Sequence, residues 1–173
     1  MSPPGPKPLD IDRLADGEAD IDFSVELAEL PRLRSRLASV DGTVRGHVHF
    51  MRELGFAVAE LSMTGSAVLQ CQRCMEKMER PVAADSRVAL IPIESDISRV
   101  PEDLEPMLAP GGRISIPEIV EEELMLSLPI VPLHENPAEC ADSPAAASVA
   151  EEDEAPVTTQ KPFEQLQELL KRK

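Results

Sequence analysis

The chain has 173 residues, of which 42% are apolar, and a formal net charge of −15 from 17 Lys+Arg against 32 Asp+Glu. That length suits one domain with tails, or at most two very small domains. The charge argues against a general nucleic-acid coat, and four Phe with no Trp or Tyr leave little material for a base-stacking platform.

No apolar run approaches the ~20 residues a transmembrane helix needs. The opening Met1-Ser2-Pro3-Pro4-Gly5-Pro6 lacks the basic start and apolar run of a signal peptide. A cytoplasmic protein without membrane attachment is expected. Residues 1–19 are rich in Pro, Asp and Gly and read as a flexible arm. From Ile21 to Leu27 apolar and polar residues alternate, which predicts a strand. Residues 28–38 change period: Leu30, Leu33 and Leu37 fall on one helical face, with Arg32, Arg34 and Arg36 spread over the others.

Three longer strands follow. Val44, Gly46, Val48 and Phe50 share a face of the first, opposite Arg45, His47 and His49. Arg52–Gly55 supplies a hairpin loop. The second strand carries Ala57, Ala59, Leu61 and Met63 on one face and continues to Leu69, with Gly65 suggesting a bulge or bend. The third covers roughly 79–92. Short connections favour an antiparallel meander, since parallel strands would need crossover helices. Residues 93–113 are acidic, rich in Pro and Gly, and read as a loop. Ser115 and Glu118 have capping-box spacing ahead of a helix over 116–128, with Pro117 in its first turn. Its apolar stripe is Ile116, Ile119, Val120 and Leu124; Glu121, Glu122 and Glu123 are read as its solvated face. Residues 141–160 hold almost no large apolar side chain and read as a disordered acidic linker. Residues 161–173 then form a short amphipathic helix, whose Phe163, Leu166 and Leu170 are candidate contacts with a partner.

The sharpest chemical feature is Cys71-Gln72-Arg73-Cys74, which sets two thiols on one tight turn between two antiparallel strands. Such a pair serves half a zinc site, plain structural thiols, or redox work. His134 and Cys140 would complete a Cys₃His set for one structural zinc. His47 and His49, two apart on a strand, lack a carboxylate at matching spacing and read as a solvated or RNA-facing strand. Residues 31–52 concentrate Arg32, Arg34, Arg36, Arg45 and Arg52 against Asp41 alone, a candidate RNA or partner contact on an acidic body. No phosphate loop, dinucleotide fingerprint or nucleophile elbow is present, so neither an enzyme nor a small-molecule substrate is expected.

Several segments, taken in order, resemble the bacterial YceD family, the large ribosomal RNA subunit accumulation proteins. Val68-Leu69-Gln70-Cys71-Gln72-Arg73-Cys74 is similar to its C-x-R-C segment, and Glu102-Asp103-Leu104-Glu105-Pro106 to its acidic stretch before the helix. Glu121–Leu128 with Pro129-Ile130-Val131-Pro132-Leu133-His134 and Cys140 resembles its next segment. Lys161-Pro162-Phe163 and Leu169-Leu170-Lys171-Arg172-Lys173 resemble its ending, with Lys161 where Asn is expected. The resemblance implies a role in synthesis, processing or stability of 23S rRNA, without known catalysis. The partners implied are the 23S rRNA precursor or large-subunit ribosomal proteins. Extra cysteines near the position of His134 in other branches favour the zinc reading. The expected architecture is α+β: an antiparallel sheet covered by two helices within a domain over 20–140. The rival function is a thiol or zinc redox regulator using Cys71 and Cys74.

Overall fold

The computed structural model describes residues 7–140. In chain order its elements are β1 (Leu9–Asp10), α1 (Ile11–Asp16), β2 (Asp20–Glu26), β3 (Thr43–Glu53), β4 (Phe56–Gln70), β5 (Lys77–Ile91), β6 (Glu105–Leu108), β7 (Arg113–Ile114) and α2 (Ile116–Ser127). Strands β2 to β6 form one sheet in sequence order, and β1 pairs with β7 in a small ribbon. The architecture is α+β. Strands β2 to β5 run antiparallel, as the short connections predict, but β6 returns parallel to β5, pairing Val88 with Glu105 and Ile91 with Leu108. The sheet is therefore mixed, and residues 93–113 are more than a loop. The connection over 92–104, which includes a 3₁₀ turn over Glu94–Arg99, brings the chain back for this parallel pairing. Four residues containing Pro106 carry too little periodicity to announce a strand.

The β3–β4 hairpin turns through Leu54 and Gly55, both at positive φ, +49° and +89°. That pair of left-handed residues matches the twist of the flanking strands. The β4–β5 register is unbroken from Ala57 opposite Leu90 to Gln70 opposite Lys77, so Gly65 marks no bulge. It marks a close approach instead: a Cβ there would lie 3.0 Å from the Thr43 carbonyl and from Val44 Cγ2. Gly46 is tighter. A Cβ on it would strike the Ser62 carbonyl oxygen and lie 2.7 Å from Phe23 Cζ. Backbone on a paired strand cannot yield as a flexible side-chain tip does. Gly46→Ala is therefore expected to cost about 3 kcal/mol, read as a lowered urea midpoint at unchanged slope. A shift below about 0.5 kcal/mol would show that β3 and β4 can separate locally.

One sheet face holds the core. Val44, Val48, Phe50, Ala59, Leu61, Met63 and Leu69 point into it, and Ile119, Val120 and Leu124 of α2 pack against them. The helix begins as its sequence predicts: Ser115 Oγ accepts from Glu118 N, and Glu118 Oε2 accepts from Ser115 N at 2.7 Å. Two expectations fail. The arm over 1–19 contains α1, whose Ile11 and Ala15 are buried in the same core, so the folded unit begins before residue 20. Asp10 caps that helix by accepting from Arg13 N.

The helix expected over 28–38 does not form. A 3₁₀ turn covers Leu27–Glu29, and irregular turns follow. Leu30 and Leu33 are buried as the spacing implies, but Pro31 has no N–H. The N–H groups of Arg32 and Leu33 donate instead to Glu121 Oε1, at 2.6 and 3.3 Å. A carboxylate from α2 thus replaces the backbone acceptors a helix would have used. It also corrects the reading of Glu121–Glu123 as a solvated face: Glu121 and Glu123 are each 5% exposed. Burial holds the Glu123 carboxyl above the ordinary carboxylate range.

Among the described residues, the opposite sheet face is open over β2–β5 apart from one end, where Leu104 covers Val58 and Ala89. Across it the register sets Asp20, His49, Glu60 and Arg87 in one row and Asp22, His47, Ser62 and Asp85 in the next. Among the described residues no helix is long and apolar enough to cross a membrane. The linker expected over 141–160 and the helix expected over 161–173 lie outside the described residues, as do Phe163, Leu166 and Leu170.

Candidate metal centre

The β4–β5 hairpin closes on the C-x-x-C. Cys71 N donates to Glu76 O and Met75 N to Cys71 O, both at 2.9 Å, while Met75 takes φ +64° to complete the reversal. The Gln70 side-chain amide donates to Met75 O at 3.0 Å. This tight turn carries the thiols of Cys71 and Cys74 inward. The segment after α2 then crosses it, since Gln72 N donates to Pro132 O at 2.9 Å. That bond sets His134 beside the turn. A 3₁₀ turn over Pro137–Cys140, opened by Ala138 N donating to Asn136 Oδ1, brings in Cys140.

Four ligand atoms from Cys71, Cys74, His134 and Cys140 lie within 4.8 Å of one another. All three cysteines are buried thiols outside any disulfide, and His134 is half-buried. Cys71 Sγ lies 3.9 Å from Cys140 Sγ. His134 Nδ1 lies 3.4 Å from both Cys74 Sγ and Cys140 Sγ. With Zn–S bonds of about 2.3 Å and Zn–N of about 2.0–2.1 Å, a tetrahedral site has S···S edges of about 3.8 Å and S···N edges of about 3.5 Å. The Cys71–Cys140, Cys74–His134 and Cys140–His134 edges have those dimensions. The four residues can hold one tetrahedral metal ion.

The electrostatics of the cluster favour a thiolate at Cys71 and oppose one at Cys140. Burial opposes ionisation of Cys71, but N–H groups of Cys74, Arg73 and His134, with the Cys74 thiol, outweigh it and bring Cys71 down to about 5. Burial and its contacts with Cys74 and Cys71 push Cys140 up to about 11. The Arg73 guanidinium reaches Cys140 Sγ at 3.9 Å and would offset negative charge there.

The candidate arginine patch is not assembled. Arg32 pairs with Glu122. Arg34 donates to Ala28 O. Arg52 is held by Asp12 and Asp16 of α1 at 2.9 and 2.6 Å. Arg45 and Arg52 lie seven positions apart on β3, about 23 Å, and point to opposite faces. Arg36 and Arg45 are exposed.

His47 and His49 do have carboxylate partners, contrary to the reading from spacing. Asp20 Oδ1 lies 3.0 Å from His47 Nε2 and 2.8 Å from His49 Nδ1, and Asp22 Oδ1 lies 2.9 Å from His47 Nδ1. Hydrogen bonds accepted by Asp22 and then Asp20 hold the His47 pKa above the usual imidazole value. The β2 alternation was visible in the sequence, but the register that brings Asp20 opposite His49 was not.

A mixed-sheet α+β domain with a Cys₃His cluster under its longest hairpin defines the class of protein. The family model described as large ribosomal RNA subunit accumulation protein YceD matches residues 59–170. The chain belongs to the YceD family. The match takes in both halves of the cluster and starts within β4. No solved structure matches the chain.

Proposed function

We propose that the chain is a non-enzymatic, cytoplasmic factor in assembly of the large ribosomal subunit, needed for accumulation of 23S rRNA, and that a structural zinc ion holds its Cys₃His cluster. Family membership supports the ribosomal role. The charge distribution supports the route. With Arg32 and Arg52 taken up by neighbouring carboxylates, the described residues offer no assembled basic footprint for RNA. The protein acts through a basic ribosomal protein, and its effect on rRNA is indirect. Convergence of a third thiol and an imidazole on the C-x-x-C favours metal binding over a two-thiol redox pair.

The test is a deletion strain complemented with tagged protein. Reduced 23S rRNA relative to 16S rRNA is expected without the protein, and recovery with it. Pull-downs at moderate salt are expected to enrich large-subunit ribosomal proteins, with contacts weakening as ionic strength rises. Unchanged 23S rRNA in the deletion strain would refute the role. Direct cross-links to rRNA through Arg36 or Arg45, without protein enrichment, would refute the route.

A further inference from the structure

We infer that the open face of the sheet is a docking surface for an extended, lysine- and arginine-rich polypeptide segment. This rests on the reading above and specifies its surface. The face is a shallow groove of about 620 Å³, with the segment around Asp103 and Glu105 as one wall. Glu60, Ser62 and Asp85 line it and are exposed. Neither α1 nor α2 covers it, because both bury their apolar residues in the core on the other side.

Three features select the occupant. Each of two successive rows carries carboxylates, Asp20 and Glu60 in one and Asp22 and Asp85 in the next, which outnumber the Arg87, His47 and His49 among them. Rows on a strand repeat at about 6.6–6.8 Å, the spacing of same-side residues in another extended chain. Basic side chains at alternate positions of such a chain meet successive rows. Nucleic acid is disfavoured because its phosphates would face these carboxylates. A second copy is disfavoured because a two-fold contact sets the same acidic face against itself. Charge complementarity of this kind contributes mostly to association rate and specificity, which suits a handover partner.

The experiment uses full-length protein and a fluorescent twelve-residue peptide of alternating Lys and Ser, with a uridine oligonucleotide of equal length as the second probe. The triple variant Glu60→Gln, Asp85→Asn, Asp103→Asn is compared with Glu18→Gln, Glu29→Gln, Glu94→Gln, which changes net charge equally off the groove. The groove triple is expected to weaken peptide binding about tenfold, the sum of three exposed ion pairs of ordinary strength, and the control triple less than about twofold. Ser62→Lys, a single exposed change in the floor, is expected to weaken binding similarly and guards against misfolding of the triple. Equal weakening by both triples would reduce the effect to net charge and overturn the inference. Unchanged binding in the groove variants, or preference of the wild type for the oligonucleotide, would also overturn it. Normal 23S rRNA in the deletion strain would instead overturn the ribosomal reading, leaving these binding results intact.

Discussion

Metal analysis of protein purified without chelator is expected to find about one zinc per chain, and Cys74→Ser to lose it. The physical reason is the reach of the site. Cys74 and His134 are 60 residues apart in sequence, yet Cys74 Sγ and His134 Nδ1 lie within 3.4 Å. A metal joining them closes a long loop in the unfolded chain, and by the loop-closure argument for a disulfide this stabilises the fold by about 4 kcal/mol. Chelator treatment and Cys74→Ser should therefore lower the melting temperature alike, and chelator should add nothing to the variant. Hydrogen exchange should rise at the β4–β5 turn and at 132–140 together, since the Gln72–Pro132 bond ties the two. Zinc below about a tenth of an equivalent, with a melting temperature insensitive to chelator, would leave the cluster as ordinary buried thiols.

Glu121→Ala is the second large effect expected. The carboxylate is buried on α2 and accepts the N–H groups of Arg32 and Leu33. Removing it leaves two backbone donors without that acceptor in a stretch that has already lost one donor to Pro31. The expected cost is about 2–4 kcal/mol by urea unfolding, the sum of unmade hydrogen bonds and a small cavity. Glu121→Gln keeps a carbonyl oxygen and most of the volume, and should cost roughly half as much. Glu122→Gln breaks only the exposed pair with Arg32 and should cost less than about 1 kcal/mol. Equal effects of Glu121→Ala and Glu122→Gln would mean that the 30–36 turn is held by Leu30 and Leu33 packing alone. The comparison also warns against neutralising Glu121–Glu123 as a block to test surface charge. Two of the three are buried, and their loss would act on the fold.

How much was legible follows from how far apart the interacting residues lie. The sequence by itself determined strands β2 to β5 and α2. Period-two alternation needs only neighbours to be read, as from Val44 to Phe50. The Ser115–Glu118 capping box needs a span of one helical turn, and Pro117 sits where its missing N–H is harmless. The four residues of the candidate metal centre could be named from the sequence, because Cys71 and Cys74 stand in a C-x-x-C and His134 and Cys140 follow one turn six apart; their tetrahedral spacing could not. What only the tertiary structure decided depends on contacts between distant segments. Residues 28–38 have a helical apolar period, but Glu121, 89 positions from Arg32, takes the backbone donors a helix needs. The same long-range bond turns a glutamate that looks solvated into a buried one. Residues 9–16 fold because Ile11 and Ala15 find a sheet to cover, a fact that polar local composition conceals. The parallel return of β6 and the meeting of Asp20 with His47 and His49 are set by strand register. Register is a global choice: it is settled by which sheet face buries the most apolar surface, and no single window of sequence contains it.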